Sequence, residues 1–225
     1  MNSKILRTIF IALLFFISTA QADIKLDHDF PWSSDPFSDA GAPVTHALRQ
    51  DMIAKGYTDW NFNGHVFHIL WNGQNYYVTG AQYRTRAQNK GTSGGETCSV
   101  FIYDTNLKQV AQHDVTFPKA DGHVECNGAR TLGLAKEQHA LLFSIMYYRS
   151  NKPLSQQDEN AGNDWHYMTV LLPLREQNGK LTIEQDDTCL GNPNEFKDAV
   201  SAREALTQCI STASSSSVMV SGRRD

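Results

Sequence analysis

The stretch VFHILWNGQNYYVTGAQYR, residues 66–84, decides the fold. Residues 66–71 and 76–84 are rich in branched and aromatic side chains, the composition of half-buried strands. Between them stands Asn72-Gly73, a pair that accepts the two left-handed conformations a type I′ turn requires. The stretch reads as a β-hairpin.

Working outward, three more pairs follow the same plan. Residues 98–103 and 109–117 flank a turn at 104–107, and residues 131–135 and 140–148 flank 136–139. Residues 167–174 and 180–185 enclose a second Asn-Gly, Asn178-Gly179. Four successive hairpins give a mainly β (α+β) chain, an antiparallel meander of about eight strands that closes as a sandwich, a barrel or part of a propeller. Residues 141–148 and 168–172 are apolar at odd and even positions alike, which predicts central strands covered on both faces.

A short helix is expected on each side of this meander. In the first, Leu48, Met52 and Ile53 recur at helical spacing, Thr45 is placed to cap and Gly56 to stop. In the C-terminal helix, Asn192 reads as the N-cap, with Pro193 and Glu195 in the first turn and a buried stripe of Phe196, Val200 and Leu206. Residues 23–42, rich in Asp, Ser and Pro with Phe30, Trp32 and Phe37, suggest an extended arm, and residues 211–225 a flexible tail.

The first 22 residues read as a cleaved secretory signal: Lys4 and Arg7, the apolar run 9–17, then the small-residue site Ala20-Gln21-Ala22. Nine apolar residues fall far short of the roughly 20 that cross a bilayer. No Asn of the remainder stands in a glycosylation sequon, so a bacterial periplasm is the expected destination. Loss of Lys4 and Arg7 takes the formal charge from −4 to −6, a poor balance for nucleic acid or anionic membrane. Residues 23–210 are long enough to form one domain, with no membrane span after cleavage.

Cys98, Cys126, Cys189 and Cys209 are an even set in an exported chain, which favours two disulfides. The gaps between them contain no C-x-x-C, so neither a zinc knuckle nor a thioredoxin-like motif is present. Nearest-neighbour pairing constrains the last helix. From Pro193 to Cys209 an unbroken helix would span about 24 Å, whereas the return from Pro193 to Cys189 reaches at most about 14 Å and the bond bridges about 6 Å between Cα atoms. If Cys189 and Cys209 are bonded, the helix must start late or end early.

Motifs for chemistry are fragmentary. Residues 91–95, GTSGG, resemble the nucleophile loop of trypsin-like serine proteases over five positions, with Thr92 where Asp would stand and without the preceding two-barrel chain. His123-Val124-Glu125-Cys126 contains the H-x-E fragment of zinc deaminases but lacks its P-C-x-x-C partner. His65 and His68, three apart on a strand, point to opposite faces and cannot share a metal without a bulge. Tyr76, Tyr77, Tyr83, Tyr147, Tyr148 and Tyr167, with Arg84 and Arg149, read as cross-strand aromatic packing or as a ligand-facing wall.

The remaining candidate is a surface. Residues 150–164 form a long connection carrying Asp158, Glu159 and Asp164, with Trp165 at its exit, suited to docking into a basic cleft. The expectation is an exported, non-catalytic binding protein without cofactor or metal, an inhibitor or immunity protein whose partner is another protein such as a basic toxin or hydrolase. The alternatives are a periplasmic hydrolase with a site gathered from distant loops, and a small-ligand carrier, which would need an open apolar cavity.

Overall fold

A computed structural model describes residues 25–26, 42–85, 96–117, 123–150 and 165–218. Among these, the elements in chain order are β1 (Lys25–Leu26), α1 (Ala42–Ala54), β2 (Tyr57–Trp71), β3 (Gln74–Thr85), β4 (Thr97–Asp104), β5 (Gln109–Asp114), β6 (His123–Ala135), β7 (Ala140–Ser150), β8 (Trp165–Gln177), β9 (Lys180–Ile183) and α2 (Ala199–Val218). They form two curled antiparallel sheets, β1-β2-β3-β4-β5 and β6-β7-β8-β9, in which every neighbour in space is a neighbour in sequence. The expected meander is present, and β1 adds a short strand where only an extended arm was expected.

Local chemistry explains the hairpins. Asn72 and Gly73 both have positive φ (50° and 73°), as do Asn178 and Gly179 (54° and 71°), so both Asn-Gly pairs form type I′ turns. At the β4–β5 turn, Asp104 Oδ1 accepts from the N–H groups of Asn106 and Lys108, each at 2.9 Å. This holds the chain while Leu107 takes a left-handed φ of 62°.

The layers run helix, sheet, sheet, helix. Between the sheets lie Val78, Val100 and Ile102 from one and Leu141, Phe143, Ile145, Met168, Val170 and Leu172 from the other. The intervening positions of the same strands point outward, as strand alternation requires. There Ala81, Tyr83, Phe101 and Tyr103 pack under Val44, Leu48 and Met52 of α1. On the far side Ala135, Ala140, Leu142 and Leu171 pack under Ala199, Ala202 and Leu206 of α2. Gly133 permits that second contact, since a Cβ there would lie 2.5 Å from Ala199 Cβ.

A disulfide and a paired side-chain hydrogen bond are among the links between the sheets in the described residues. The Cys98–Cys126 disulfide links β4 to β6 across a Cα separation of 5.4 Å, and Cys126 N–H donates to Glu96 O at 2.9 Å. Elsewhere, Gln185 Oε1 accepts from Thr116 N–H at 3.0 Å while Gln185 Nε2 donates to Thr116 O at 3.1 Å. That second joint connects the chain just beyond β5 to the chain just beyond β9.

The helices depart from expectation at their starts. α1 begins at Ala42, so Thr45 lies inside it. Val44, Leu48 and Met52 form its buried stripe, and Ile53, one position round from Met52, is 57% exposed. Gly56 stops it as expected, with φ 71° and its N–H donating to Ile53 O at 3.0 Å.

α2 begins at Ala199, and its N-cap is Asp198 rather than Asn192. Asp198 Oδ1 accepts from the N–H groups of Val200 and Ser201 at 2.9 and 2.8 Å. Val200 is 60% exposed, and Phe196 lies ahead of the helix, so the predicted stripe gives way to Ala199, Ala202 and Leu206. The late start meets the disulfide condition: Cys189 and Cys209 are bonded, with Cα atoms 5.8 Å apart. The helical backbone continues to Val218, into the stretch expected to be tail.

Candidate functional site

Where α2 stops covering sheet β6-β7-β8-β9, an aromatic surface begins. The last covered row is Ser144 and Thr169, whose hydroxyls lie 2.8 Å apart, with Thr169 Oγ1 donating to Phe196 O at 2.9 Å. The next outward positions along β7 are Met146 and Tyr148, and register places Tyr167 opposite Met146 and Trp165 opposite Tyr148. Tyr148 and Trp165 meet edge to face with ring centroids 5.1 Å apart. Trp165 is 38% exposed. Met146, Tyr148 and Tyr167 are half-buried.

Tyr167 carries a cation on each of two approaches. Arg130 Cζ lies 5.8 Å and Lys197 Nζ 5.5 Å from the ring centroid, within range for attraction to the negative face of the ring. Arg130 comes from an irregular point of β6, where the register shifts between Ala129 and Thr131, and Lys197 from the segment entering α2. The result is an outward-facing cluster of Trp, two Tyr and Met with two flanking cations, suited to contact with an apolar or aromatic group.

Of the loop candidates, Trp165 belongs to this surface. Asp158, Glu159 and Asp164 lie outside the described residues, as does the GTSGG stretch. The tyrosines expected to act together are divided among three environments. Tyr76 and Tyr147 enter the core between the sheets, Tyr83 packs beneath α1, and Tyr148 and Tyr167 face outward. Tyr147 stacks on His166 at 5.4 Å, and Arg84 pairs with Glu96 at 3.3 Å. Cross-strand packing therefore accounts for most of the aromatic pattern.

A second polar constellation lies under the end of α1. Asp114 Oδ1 accepts from Ser99 Oγ at 2.6 Å, Tyr83 Oη at 2.9 Å and Gln112 Nε2 at 2.9 Å. Lys55 Nζ donates to Gln112 Oε1 at 2.8 Å and to Gln109 Oε1 at 3.0 Å. Tyr103 Oη donates to Asp51 Oδ2 at 3.1 Å. Burial, reinforced by the nearby carboxylates Asp114 and Asp51, holds both Tyr83 and Tyr103 well above the ordinary tyrosine range. Ser99 is fully buried, so its hydroxyl is a strut of this network with no access for a substrate.

The histidines are dispersed. His68 lies beside Tyr77 on the outer face of β2, His113 shares the inward face of Val100, His139 occupies the β6–β7 turn, and His166 lies against Tyr147. The side chains of His65 and His123 fall outside the described residues. Among the described residues no group of three or more His, Cys, Asp or Glu could hold a metal ion. The four cysteines are paired in two disulfides. An apolar crevice lined by Phe67, Ile69, Val78, Leu132, Gly133, Leu134 and Leu141 has a volume of about 10 Å³, room for roughly one water-sized sphere.

Among the described residues no helix is long and apolar enough to cross a membrane. The chain matches no family model, no curated protein and no solved structure. Arg130 and Lys197 escape sequence reading, because neither belongs to a motif and only the fold brings both to Tyr167.

Proposed function

We propose that the chain is an exported, non-catalytic binding protein whose partner is another protein, acting as an inhibitor or immunity protein toward an envelope toxin or hydrolase. The observation that carries this reading is the outward-facing cluster of Trp165, Tyr148, Tyr167, Met146 and Arg130. Trp, Tyr, Met and Arg are the residue types concentrated in the energetic centres of protein interfaces. Two disulfides favour an oxidising compartment, and the N-terminal leader supports a periplasmic one. A scaffold covalently fastened in two places also suits recognition by a preformed surface.

The test is capture from periplasmic extract on the immobilised mature chain, repeated with Trp165→Ala and Tyr167→Ala. One stoichiometric partner is expected, with each substitution weakening its affinity about tenfold or more. Charge reversal at Asp158 and Glu159 reports separately on the acidic loop and is expected to slow association. Capture that survives both aromatic substitutions unchanged overturns the assignment of this face.

A further inference from the structure

The two disulfides differ in their openness to attack. Cys98 and Cys126 are 0% and 1% exposed, sealed among the side chains between the sheets. Cys189 and Cys209 are half-buried at the margin of the α2 contact. Thiol–disulfide exchange requires a thiolate to reach a sulfur atom, so access separates the two bonds kinetically.

Position gives the more accessible bond a mechanical consequence. Residues 199, 202, 206 and 209 follow helical spacing on one face of α2, and the first three are buried against the sheet. Cys209 is the next member of that stripe, while Ile210, Ser211 and Thr212 are exposed. Its partner Cys189 adjoins Leu190, which is 6% exposed and packed in the same cluster as Leu206.

We propose that Cys189–Cys209 is a reducible latch on α2, opened by a dithiol reductant, a small dithiol or a dithiol oxidoreductase, while Cys98–Cys126 stays closed. A reductant thiolate attacks one sulfur of the pair, forming a mixed disulfide and expelling the other cysteine as thiolate. The second thiol of the reductant then displaces the mixed sulfur. The reductant leaves as a disulfide, and Cys189 and Cys209 become two thiols, having received two electrons and two protons. The C-terminal half of α2 then loosens from sheet β6-β7-β8-β9, uncovering Leu190 and Leu206, while the joint between the sheets persists.

The experiment treats the mature chain with dithiothreitol in native buffer, traps thiols with iodoacetamide at intervals and reads each cysteine by peptide mass spectrometry, with hydrogen exchange followed in parallel. Cys189 and Cys209 should be modified at least about tenfold faster than Cys98 and Cys126. Exchange across residues 207–212 should rise about tenfold or more, with β3, β4 and β7 unchanged. A double variant, Cys189→Ser with Cys209→Ser, should show the same exchange pattern without reductant; if it does not fold, the reduced natural chain decides. Equal reduction of the two bonds, earlier loss of Cys98–Cys126, or reduction that leaves the protection of α2 intact overturns the proposal.

Discussion

The two helices cover their sheets by opposite means. Beneath α1 the sheet offers large rings, Tyr83, Phe101 and Tyr103, and the two tyrosine hydroxyls are tied to Asp114 and Asp51. Beneath α2 it offers Leu142 and Leu171 beside Ala135, Ala140 and Gly133, and the helix answers with Leu206 beside Ala199 and Ala202, with no ring on either side and the closest approach made by Gly133 and Ala199. Large side chains bury much apolar area and bring polar tips that need partners, so the α1 face is fastened by a hydrogen-bond network. Small side chains let helix and sheet approach closely but remove less apolar surface from water, and there the fastening includes a disulfide and the Asp198 cap. The difference teaches that side-chain size at a helix–sheet contact decides what else must hold it.

The contrast can be broken most severely at Phe101. Phe101→Ala should cost about 3–5 kcal/mol in chemical denaturation, because a fully buried ring leaves a cavity beneath α1. Removing both Cys189 and Cys209 should cost about 3 kcal/mol, the value expected for opening a loop of this length, with the loss concentrated in α2. Gly133→Ala should cost about 1–3 kcal/mol, since the added methyl meets Ala199 and the helix must shift. Tyr83→Phe should cost about 1 kcal/mol, removing one hydroxyl from a network that retains Ser99, Gln112 and Asp114.

Titration separates the two faces with the smallest effect. Tyr83 and Tyr103 keep their protons when folded at a pH where the unfolded chain releases them, near pH 10. Their contribution is therefore whole below about pH 10 and declines as pH rises above it, loosening the α1 face first. Asp198 has the opposite sense: hydrogen bonds from the backbone and side chain of Ser201 hold its carboxyl below the ordinary aspartate range. Its support of α2 is whole above about pH 4 and fades as acid protonates it. Residue-resolved hydrogen exchange at both extremes checks this, and simultaneous loosening of α1 and α2 at either one would contradict it.

How much of this was legible in the sequence depended on how local each cause was. Asn72-Gly73 and Asn178-Gly179 specify their turns from two adjacent residues, so the hairpins could be read directly. The early parts of β2 and β6 could not, because irregular register between Thr58 and Asn61, Phe62 and Val66, and Cys126 and Gly128 breaks the alternation by which strands are recognised. Asn192 looked like a helix cap because its alternative partners, Thr116 O and Asp187 Oδ2, are contributed by the folded arrangement. The disulfide distances bore on this only on condition that Cys189 and Cys209 were bonded, when they required a late or shortened helix; the bond is present and the late start is the outcome found. At the candidate surface, Trp165 was visible as an aromatic at a loop exit, whereas Arg130 and Lys197 reach Tyr167 only through an irregularity in β6 and the path of residues 191–198.

The Gln185 amide carries one N–H donor and one C=O acceptor to Thr116, the same pair of groups a neighbouring strand would offer. Asn194 repeats the device on β8, accepting from Thr169 N–H at 3.0 Å and donating to Thr169 O at 2.9 Å. These two side chains act as single-rung splints: each finishes a sheet margin without presenting the continuous ladder on which a stray chain could template itself. Margins finished in this way are satisfied yet discontinuous, which works against edge-to-edge association between copies of an all-hairpin protein.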